Sequence, residues 1–128
     1  MSKPILCLDF DGVIHSYKSG WQGADKIPDY PVPGALAFML EAIDHFTVVI
    51  YSSRSHQDGG IEAMKRWLYN RARYEFGSVD TTETLLANIG FPTHKPSAFV
   101  TIDDRAITFT GEWPSIETLQ NFKPWNKK

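Results

Sequence analysis

The sequence predicts an α/β fold with a mostly parallel sheet. Three short runs of apolar and β-branched residues, at 4–9, 46–52 and 98–102, are typical of buried strands. Residues 33–43 and 61–74 lie between these runs and carry apolar residues at helical spacing. Strands that alternate with helices indicate parallel βαβ units. The 128 residues fit one domain, since domains most often contain about 100–150 residues.

The first part of the chain contains a strand, an irregular segment and a helix. Residues 4–9 end in an acid, and the many glycines and prolines that follow predict an irregular excursion over 10–32. Pro33 and Gly34 then open a helix. The apolar residues of this helix recur at helical spacing: Leu36, Leu40 and Ile43.

The later part of the chain is predicted from the same signals. A polar loop over 53–60 leads into an amphipathic helix over 61–74, whose solvated side carries Arg66, Arg71 and Arg73. A short helix over 81–88, closed by Gly90, follows. The remaining segments are a strand over 98–102, a last short strand over 106–110 and a helix that starts at Pro114. In open α/β sheets, ligands bind beyond the carboxyl ends of the strands. The residues that follow each strand are therefore the candidate site.

Composition excludes several classes of protein. Hydrophobic residues make up 42% of the chain and charged residues 22%, which is typical of folded globular proteins. A net charge of -2 argues against generic electrostatic binding to nucleic acid, although contact with one nucleotide or one strand end stays open. The single cysteine, Cys7, lies in an apolar run and is expected in the core. The sequence shows no signal peptide or membrane span, so a cytoplasmic location is expected.

Two carboxylates follow the first predicted strand. Asp9 and Asp11 are two residues apart, so both can face one cavity while Phe10 points away from it. Gly12 allows a sharp turn directly after them. Acids at a loop start are often only caps, but Asp9 closes a strand whose pattern favours an apolar residue. This position favours a functional role.

A second acid pair, Asp103 and Asp104, closes the strand predicted at 98–102. Alone, such a pair is as easily a solvated turn. Four carboxylates that meet at one sheet edge would repel one another, and a divalent cation would relieve that repulsion. Hard oxygen ligands suit Mg²⁺, which usually also binds phosphate groups of a substrate. The sequence therefore predicts a Mg²⁺ site and a phosphorylated substrate.

Lys95 and Ser52 are weaker candidates. Lys95 precedes the strand at 98–102, and its ammonium could hold both a phosphate and a carboxylate, although a lone lysine is usually only a surface charge. Ser52 ends the second strand, and its hydroxyl could donate to a phosphate oxygen. A serine in that position is more often a backbone cap.

These residues together resemble the haloacid dehalogenase (HAD) superfamily. The run 9–13 (DFDGV), then Ser52, then Lys95, then Asp103 and Asp104, are similar in order and placement to the four motifs of that superfamily. The resemblance covers residues 5 to about 110. It implies a Rossmann-like, three-layer fold, and the Asp at position 11 is typical of the phosphatases rather than the dehalogenases.

The resemblance implies a catalytic role for each residue. Asp9 would attack phosphorus and form an aspartyl-phosphate. Asp11 would protonate the leaving oxygen and then deprotonate the attacking water. Ser52 and Lys95 would hold the oxygens of the transferring phosphoryl group. The implied cofactor is Mg²⁺, held by Asp9, the carbonyl of Asp11 and one acid of the next pair, with Asp104 favoured as the direct ligand and Asp103 in the outer shell.

The second motif has an alternative alignment. Ser53 and Ser55 compete with Ser52, and Ser52-Ser53-Arg54 resembles the serine–small–arginine pattern of polynucleotide kinase-type phosphatase domains. In that alignment Arg54 becomes a second phosphate ligand, while a surface loop arginine is equally expected. The full set of expected phosphate-binding residues is Ser52, Ser53, Arg54, Lys95 and Gly12.

The spacing of the motifs leaves no room for the cap domain that many members of the superfamily carry. We call residues 12–32 the flap, because they would cover the site. Within the flap, His15 is expected to be structural, and Trp21 could stack on a base or pack on the domain. An open site suits large substrates. The favoured substrate is a nucleotide or the 3′ or 5′ phosphate end of a nucleic acid, with a phosphoprotein or a small metabolite as alternatives and with no membrane or obligate protein partner.

Two functions without turnover compete with the phosphatase. A receiver domain also binds Mg²⁺ and phosphorylates an aspartate, but its acid pair comes first and its lysine last, which is a different order. An inactive HAD-fold binding module is the second rival, and the presence of every catalytic residue type argues against it.

Overall fold

The computed structural model describes residues 3–127. Its central feature is a four-stranded, all-parallel sheet with the order β3-β2-β1-β4. The strands are β1 (Ile5–Leu8), β2 (Thr47–Ile50), β3 (Ile89–Gly90) and β4 (Val100–Ile102). The predicted α/β class with a parallel sheet is confirmed, and the architecture is compatible with a Rossmann-like fold.

Helices lie between the strands and after the last one. They are α1 (Ala35–Ala42), α2 (Gly60–Phe76), α3 (Val79–Ala87) and α4 (Ile116–Gln120), with a single 3-10 turn at Ser53–His56. Ser78 begins α3 by accepting the amide hydrogen of Thr81 at 3.1 Å. Gly77 ends α2 in the left-handed conformation, which explains why a chain reversal fits between these two helices. In the described part of the chain, no helix is both long and apolar enough to cross a membrane.

The hydrophobic core joins the sheet to the first three helices. Its members include Leu8 of β1, Ile50 of β2, Met39 of α1, Met64 of α2 and Leu85 of α3, all almost fully buried. Cys7 is also buried, as predicted. This core holds β1 in the centre of the sheet, so the residues after β1 start from a rigid base.

The register of the sheet places the predicted motif residues at one edge. Leu8 is paired with Ile50 on one side and with Ile102 on the other. All three are the last residues of parallel strands, so the segments that start at Asp9, Tyr51 and Asp103 leave the sheet side by side. This confirms that three strands deliver their following residues to a common edge.

Several predictions differ from the structure. The strand expected at 106–110 is absent; this segment is exposed and does not pair with the free edge of β4. Gly90 does not end a helix but pairs with Val49 as part of β3. The polar loop at 53–60 contains the 3-10 turn. Arg71 is partly buried, because its guanidinium stacks 4.5 Å from the ring centre of Tyr30.

Candidate active site

Three carboxylates meet at the carboxyl ends of β1 and β4. One oxygen each from Asp9, Asp103 and Asp104 lie within 4.8 Å of one another. The backbone holds this arrangement, because the amide of Asp9 donates to the carbonyl of Ile102 at 3.0 Å. Of the four carboxylates that the sequence predicts to converge, these three form the cluster, and Asp11 is not part of it.

The electrostatics of this cluster are unfavourable in the absence of a cation. Burial raises the pKa of Asp9, and the negative charges of Asp103 and Asp104 add to this, so that its pKa rises from 3.8 to about 7 despite the hydrogen bond from the Phe10 amide. Asp104 Oδ1 is buried and has no hydrogen-bond partner among the described residues. An unpaired carboxylate oxygen beside two other carboxylates fits a hard divalent cation such as Mg²⁺.

Gly12 brings the loop after β1, which contains Asp9 and Asp11, close to Asp104. Its φ of 84° is left-handed, and a Cβ atom in its place would collide with the Asp104 carboxylate. The Gly12 amide donates to the His15 carbonyl at 2.8 Å, and the Gly12 carbonyl accepts from Trp125 Nε1 at 2.8 Å. Both backbone groups are thus already hydrogen-bonded within the protein. Gly12 therefore shapes the loop, and its amide is not free for the phosphate binding that the sequence predicts.

A polar cavity of about 340 Å³ opens over the acid cluster. Of the residues that line it, five were predicted from the sequence as site residues and two were not. The predicted residues are Asp9, Asp11, Ser53, Asp103 and Asp104, and the additional ones are Tyr17 and Arg105.

Ser52 does not reach this cavity. Its hydroxyl is buried, accepts the Arg54 amide at 3.0 Å and lies 3.7 Å from the sulfur of Met64. Ser55 completes a capping box by accepting the Ser52 amide. The catalytic and phosphate-binding role expected for Ser52 is therefore corrected to helix capping, and Ser53 is the serine that lines the cavity.

Arg54 is 0% exposed, which corrects the alternative of a surface loop arginine. Its Nε and Nη2 donate to the two carboxylate oxygens of Asp11 at 2.9 and 3.1 Å. Its Nη1 is surrounded by three carbonyl oxygens of the flap. The guanidinium binds protein groups on both edges, so it does not face the cavity as the expected phosphate ligand would.

Asp11 is also held by His15. The Nδ1 of this buried histidine lies 2.8 Å from Asp11 Oδ1, and its Nε2 accepts the backbone amide of Asp29. An accepting Nε2 places the proton on Nδ1, which donates to Asp11. Burial raises the pKa of Asp11, but the hydrogen bonds from His15 and Arg54 outweigh this and lower it. His15 is thus buried and joins Asp11 to the backbone of the flap.

The positive charges near the cavity are distributed differently from the prediction. Lys95 is exposed and does not line the cavity, although its charge acts on Cys7, which lies two residues before Asp9 on the same face of the strand. Arg105 is the cation that lines the cavity. Its position directly after the acid pair was the signal in the sequence that could have identified it.

Tyr17 was missed because its position depends on the backbone. It has a φ of 61°, the left-handed conformation that a tyrosine seldom adopts, and its side chain lines the cavity. Strained backbone of this kind clusters at functional sites. Nothing in the spacing or composition of the flap distinguishes Tyr17 from Tyr30.

We expect Asp9→Asn to stabilise the metal-free protein. The raised pKa of Asp9 means that the folded state binds more protons than the unfolded state between about pH 4 and pH 7, so stability falls as the pH rises through this range. At about pH 8 the variant should be about 2 kcal/mol more stable than the wild type, and near pH 4 the difference should vanish. Urea unfolding in chelator measures this, and a variant no more stable at the higher pH would contradict the charge repulsion inferred for the cluster.

Comparisons with protein-family models, with curated proteins and with solved structures find no match to this chain. The interpretation of the site therefore depends on its own geometry and chemistry.

Proposed function

We propose that this chain is a Mg²⁺-dependent phosphomonoesterase of the HAD type that acts through an aspartyl-phosphate on Asp9. The observation that carries the proposal is one cavity in which four carboxylates, a serine and an arginine meet at the carboxyl ends of parallel strands, with three of the carboxylates close enough to share a cation. The carboxylates suit a divalent cation, and the serine and arginine suit phosphate oxygens.

In the first step, a carboxylate oxygen of Asp9 attacks phosphorus. The bond from this oxygen to phosphorus forms as the bond to the ester oxygen breaks, and Asp11 gives a proton to the leaving oxygen. The Phe10 amide donates to Asp9 Oδ1 at 2.8 Å and so fixes the orientation of the nucleophile. Asp11 lines the same cavity and is placed to reach the leaving oxygen.

In the second step, water attacks the aspartyl-phosphate. Asp11 takes a proton from this water, inorganic phosphate leaves and the Asp9 carboxylate is restored. The pKa of Asp11 lies below its usual range, because its hydrogen bonds to His15 and Arg54 outweigh the effect of burial. An ionised Asp11 with one oxygen bound only by Arg54 Nε suits this base role. Its acid role in the first step requires Asp11 to take up a proton when the negatively charged ester binds beside it.

Asp9, Asp104 and the carbonyl of Asp11 would hold the Mg²⁺ ion, and Asp103 would stand in its outer shell. When bound, the ion offsets the carboxylate charges and the charge of the phosphoryl oxygens. Ser53 and Arg105 contact the phosphoryl group from the cavity wall. Lys95 is exposed and lies outside the cavity lining, so it is given no contact with the phosphoryl group.

The substrate class follows from the open access to the cavity. The short spacing between the motif residues leaves no room for a folded cap domain, so a large substrate with a terminal phosphate is favoured. The flap presents Trp21, whose side chain is 46% exposed and covers the guanidinium of Arg54 at 4.7 Å. An exposed indole face supports a nucleotide or a nucleic-acid 3′ or 5′ phosphate end as substrate, because every base can stack on an aromatic ring.

Phosphate release from a substrate panel tests the proposal. The panel contains nucleotides, oligonucleotides with 3′ or 5′ phosphates, phosphopeptides, sugar phosphates and p-nitrophenyl phosphate. We expect turnover that falls at least about 100-fold in chelator and returns with Mg²⁺, and we expect Ca²⁺ to inhibit because its looser coordination disturbs in-line geometry.

Full activity in chelator would reject the metal centre. No turnover on any ester would favour the binding module, and phosphorylation of Asp9 without release of phosphate would favour a receiver-like domain.

A further inference from the structure

Arg54 is the largest fully buried side chain in the described part of the protein, and it is a charged one. A buried guanidinium is costly unless it is hydrogen-bonded. Five hydrogen bonds involve all three of its nitrogen atoms, and they run to two different parts of the molecule. One part is Asp11 in the loop after β1, and the other is the flap.

The two sets of hydrogen bonds use opposite edges of one planar group. Nε and Nη2 bind Asp11 in the bidentate manner that fixes a carboxylate in one orientation. Nη1 binds the carbonyls of Gly23, Ala24 and Lys26 at 2.8, 2.9 and 3.1 Å. Since the guanidinium is rigid, the flap backbone and Asp11 cannot both keep their hydrogen bonds if either one moves alone.

The backbone of Arg54 is fixed by the core. The capping box of Ser52 and Ser55 closes the 3-10 turn around it. The first residue of α2, Gly60, lies so close that a Cβ there would collide with the Arg54 carbonyl. The side chain therefore extends from a rigid base, and Trp21 covers its guanidinium from the flap.

We infer that Arg54 is a positioning residue that couples closure of the flap to the placement of Asp11. With the flap down, Nη1 is fully bonded and the other edge holds Asp11 at the cavity. With the flap lifted, three acceptors leave Nη1, and the guanidinium loses the support that aligns Asp11. This inference rests on the proposed function for its effect on catalysis, but the mechanical coupling itself does not.

The catalytic test compares two esters in Arg54→Gln and Arg54→Lys. An alkyl phosphate needs a proton on its leaving oxygen, whereas p-nitrophenolate leaves without one. We expect kcat/KM for the alkyl phosphate to fall at least about 100-fold and kcat/KM for p-nitrophenyl phosphate to fall less than about tenfold. This ratio covers the steps up to formation of the aspartyl-phosphate, in which only the alkyl ester needs a proton from Asp11, and it leaves out the later attack of water that both esters share. Lysine should not restore the loss, since it cannot bind both edges.

Arg71→Gln is the matched control. Arg71 contacts the flap carbonyl of Asp29 at 3.4 Å and has no hydrogen bond to Asp11, so its loss should affect both esters equally. Equal losses on both esters in a folded Arg54→Gln protein would mean that Arg54 is only structural, and would overturn the inference.

The mechanical test uses hydrogen exchange and does not require activity or a stable Arg54 variant. The amide of Lys26 bonds to the carbonyl of Gly23 inside the flap. In Asp11→Asn, which weakens the hydrogen bonds to Arg54, we expect the Lys26 amide to exchange about tenfold faster than in the wild type. Asp103→Asn is the control, because Asp103 has no hydrogen bond to Arg54 and should leave the rate unchanged.

The exchange is measured at Lys26 because Asp11 has a second route to the flap through His15, which ends at the amide of Asp29. Faster exchange at Asp29 alone, or no change at either amide, would overturn the coupling. An inactive wild type would instead reject the proposed function and leave the exchange result to decide the coupling.

Discussion

Asp9→Asn should abolish turnover while the protein stays folded. The amide is nearly isosteric with the carboxylate but is a poor nucleophile, and the loss of a covalent nucleophile should lower kcat at least about 1000-fold. The Phe10 amide can donate to the amide oxygen as it does to Asp9 Oδ1, so the local geometry should persist. Steady-state kinetics on p-nitrophenyl phosphate with Mg²⁺ measures the effect in a sample shown to be free of deamidation.

One further measurement tests the covalent intermediate, and a second tests the charge repulsion at Asp9. Beryllofluoride with Mg²⁺ should add to Asp9 as a mimic of the aspartyl-phosphate and should inhibit the wild type. In chelator, the same variant should be more stable than the wild type near pH 8, since it removes a carboxylate that burial and its neighbours hold at a pKa of about 7. A variant that kept more than a small fraction of activity would remove Asp9 from the role of nucleophile.

The parts of the site that could be predicted from the sequence are those fixed by strand ends. Asp9 and Asp103 each follow the last residue of a strand, and the register of a parallel sheet leaves little freedom in where such residues lie. A run of apolar residues closed by an acid is therefore a reliable signal. The same signal predicts that the carboxylates after β1 and β4 lie close together.

The residues that the sequence misplaced all depend on the conformation of a loop. Ser52 and Ser53 are adjacent and chemically identical, and only the 3-10 turn decides that Ser52 caps the turn while Ser53 lines the cavity. Arg54 follows them and is turned into the core, because three flap carbonyls that are 28 to 31 residues away in sequence supply its acceptors. Contacts of that separation leave no periodic pattern in the sequence.

The end of the chain shows a different limit. Residues 106–110 have the composition of a strand, but strand formation needs pairing with a neighbour, and this segment does not pair with the free edge of β4. The chain instead returns to the loop after β1, where Trp125 donates to the carbonyl of Gly12. Propensity alone could not distinguish a further strand from such a return.

The second large effect concerns the two adjacent acids. Asp104 should be the direct ligand of Mg²⁺, since its Oδ1 is buried without a hydrogen-bond partner in the described part of the chain and its carboxylate packs against Gly12. Asp103 is exposed, and its Oδ1 already accepts the amide of Arg105 at 2.7 Å. A cation would therefore give a partner to an unpaired buried oxygen at Asp104, whereas Asp103 already has a donor.

We accordingly expect Asp104→Asn to raise the Mg²⁺ concentration for half-maximal activity more than about 100-fold, and Asp103→Asn to raise it by about tenfold, which is usual for an outer-shell partner. Asparagine is the better substitution at both positions, because it preserves the contact with Gly12 and the hydrogen bond from Arg105. A Mg²⁺ titration of activity and a titration of thermal stability should give the same order, since a bound ion stabilises the folded state by mass action. If the two variants rank in the reverse order in both titrations, the direct ligand is Asp103, and the buried oxygen of Asp104 then needs a partner other than the metal.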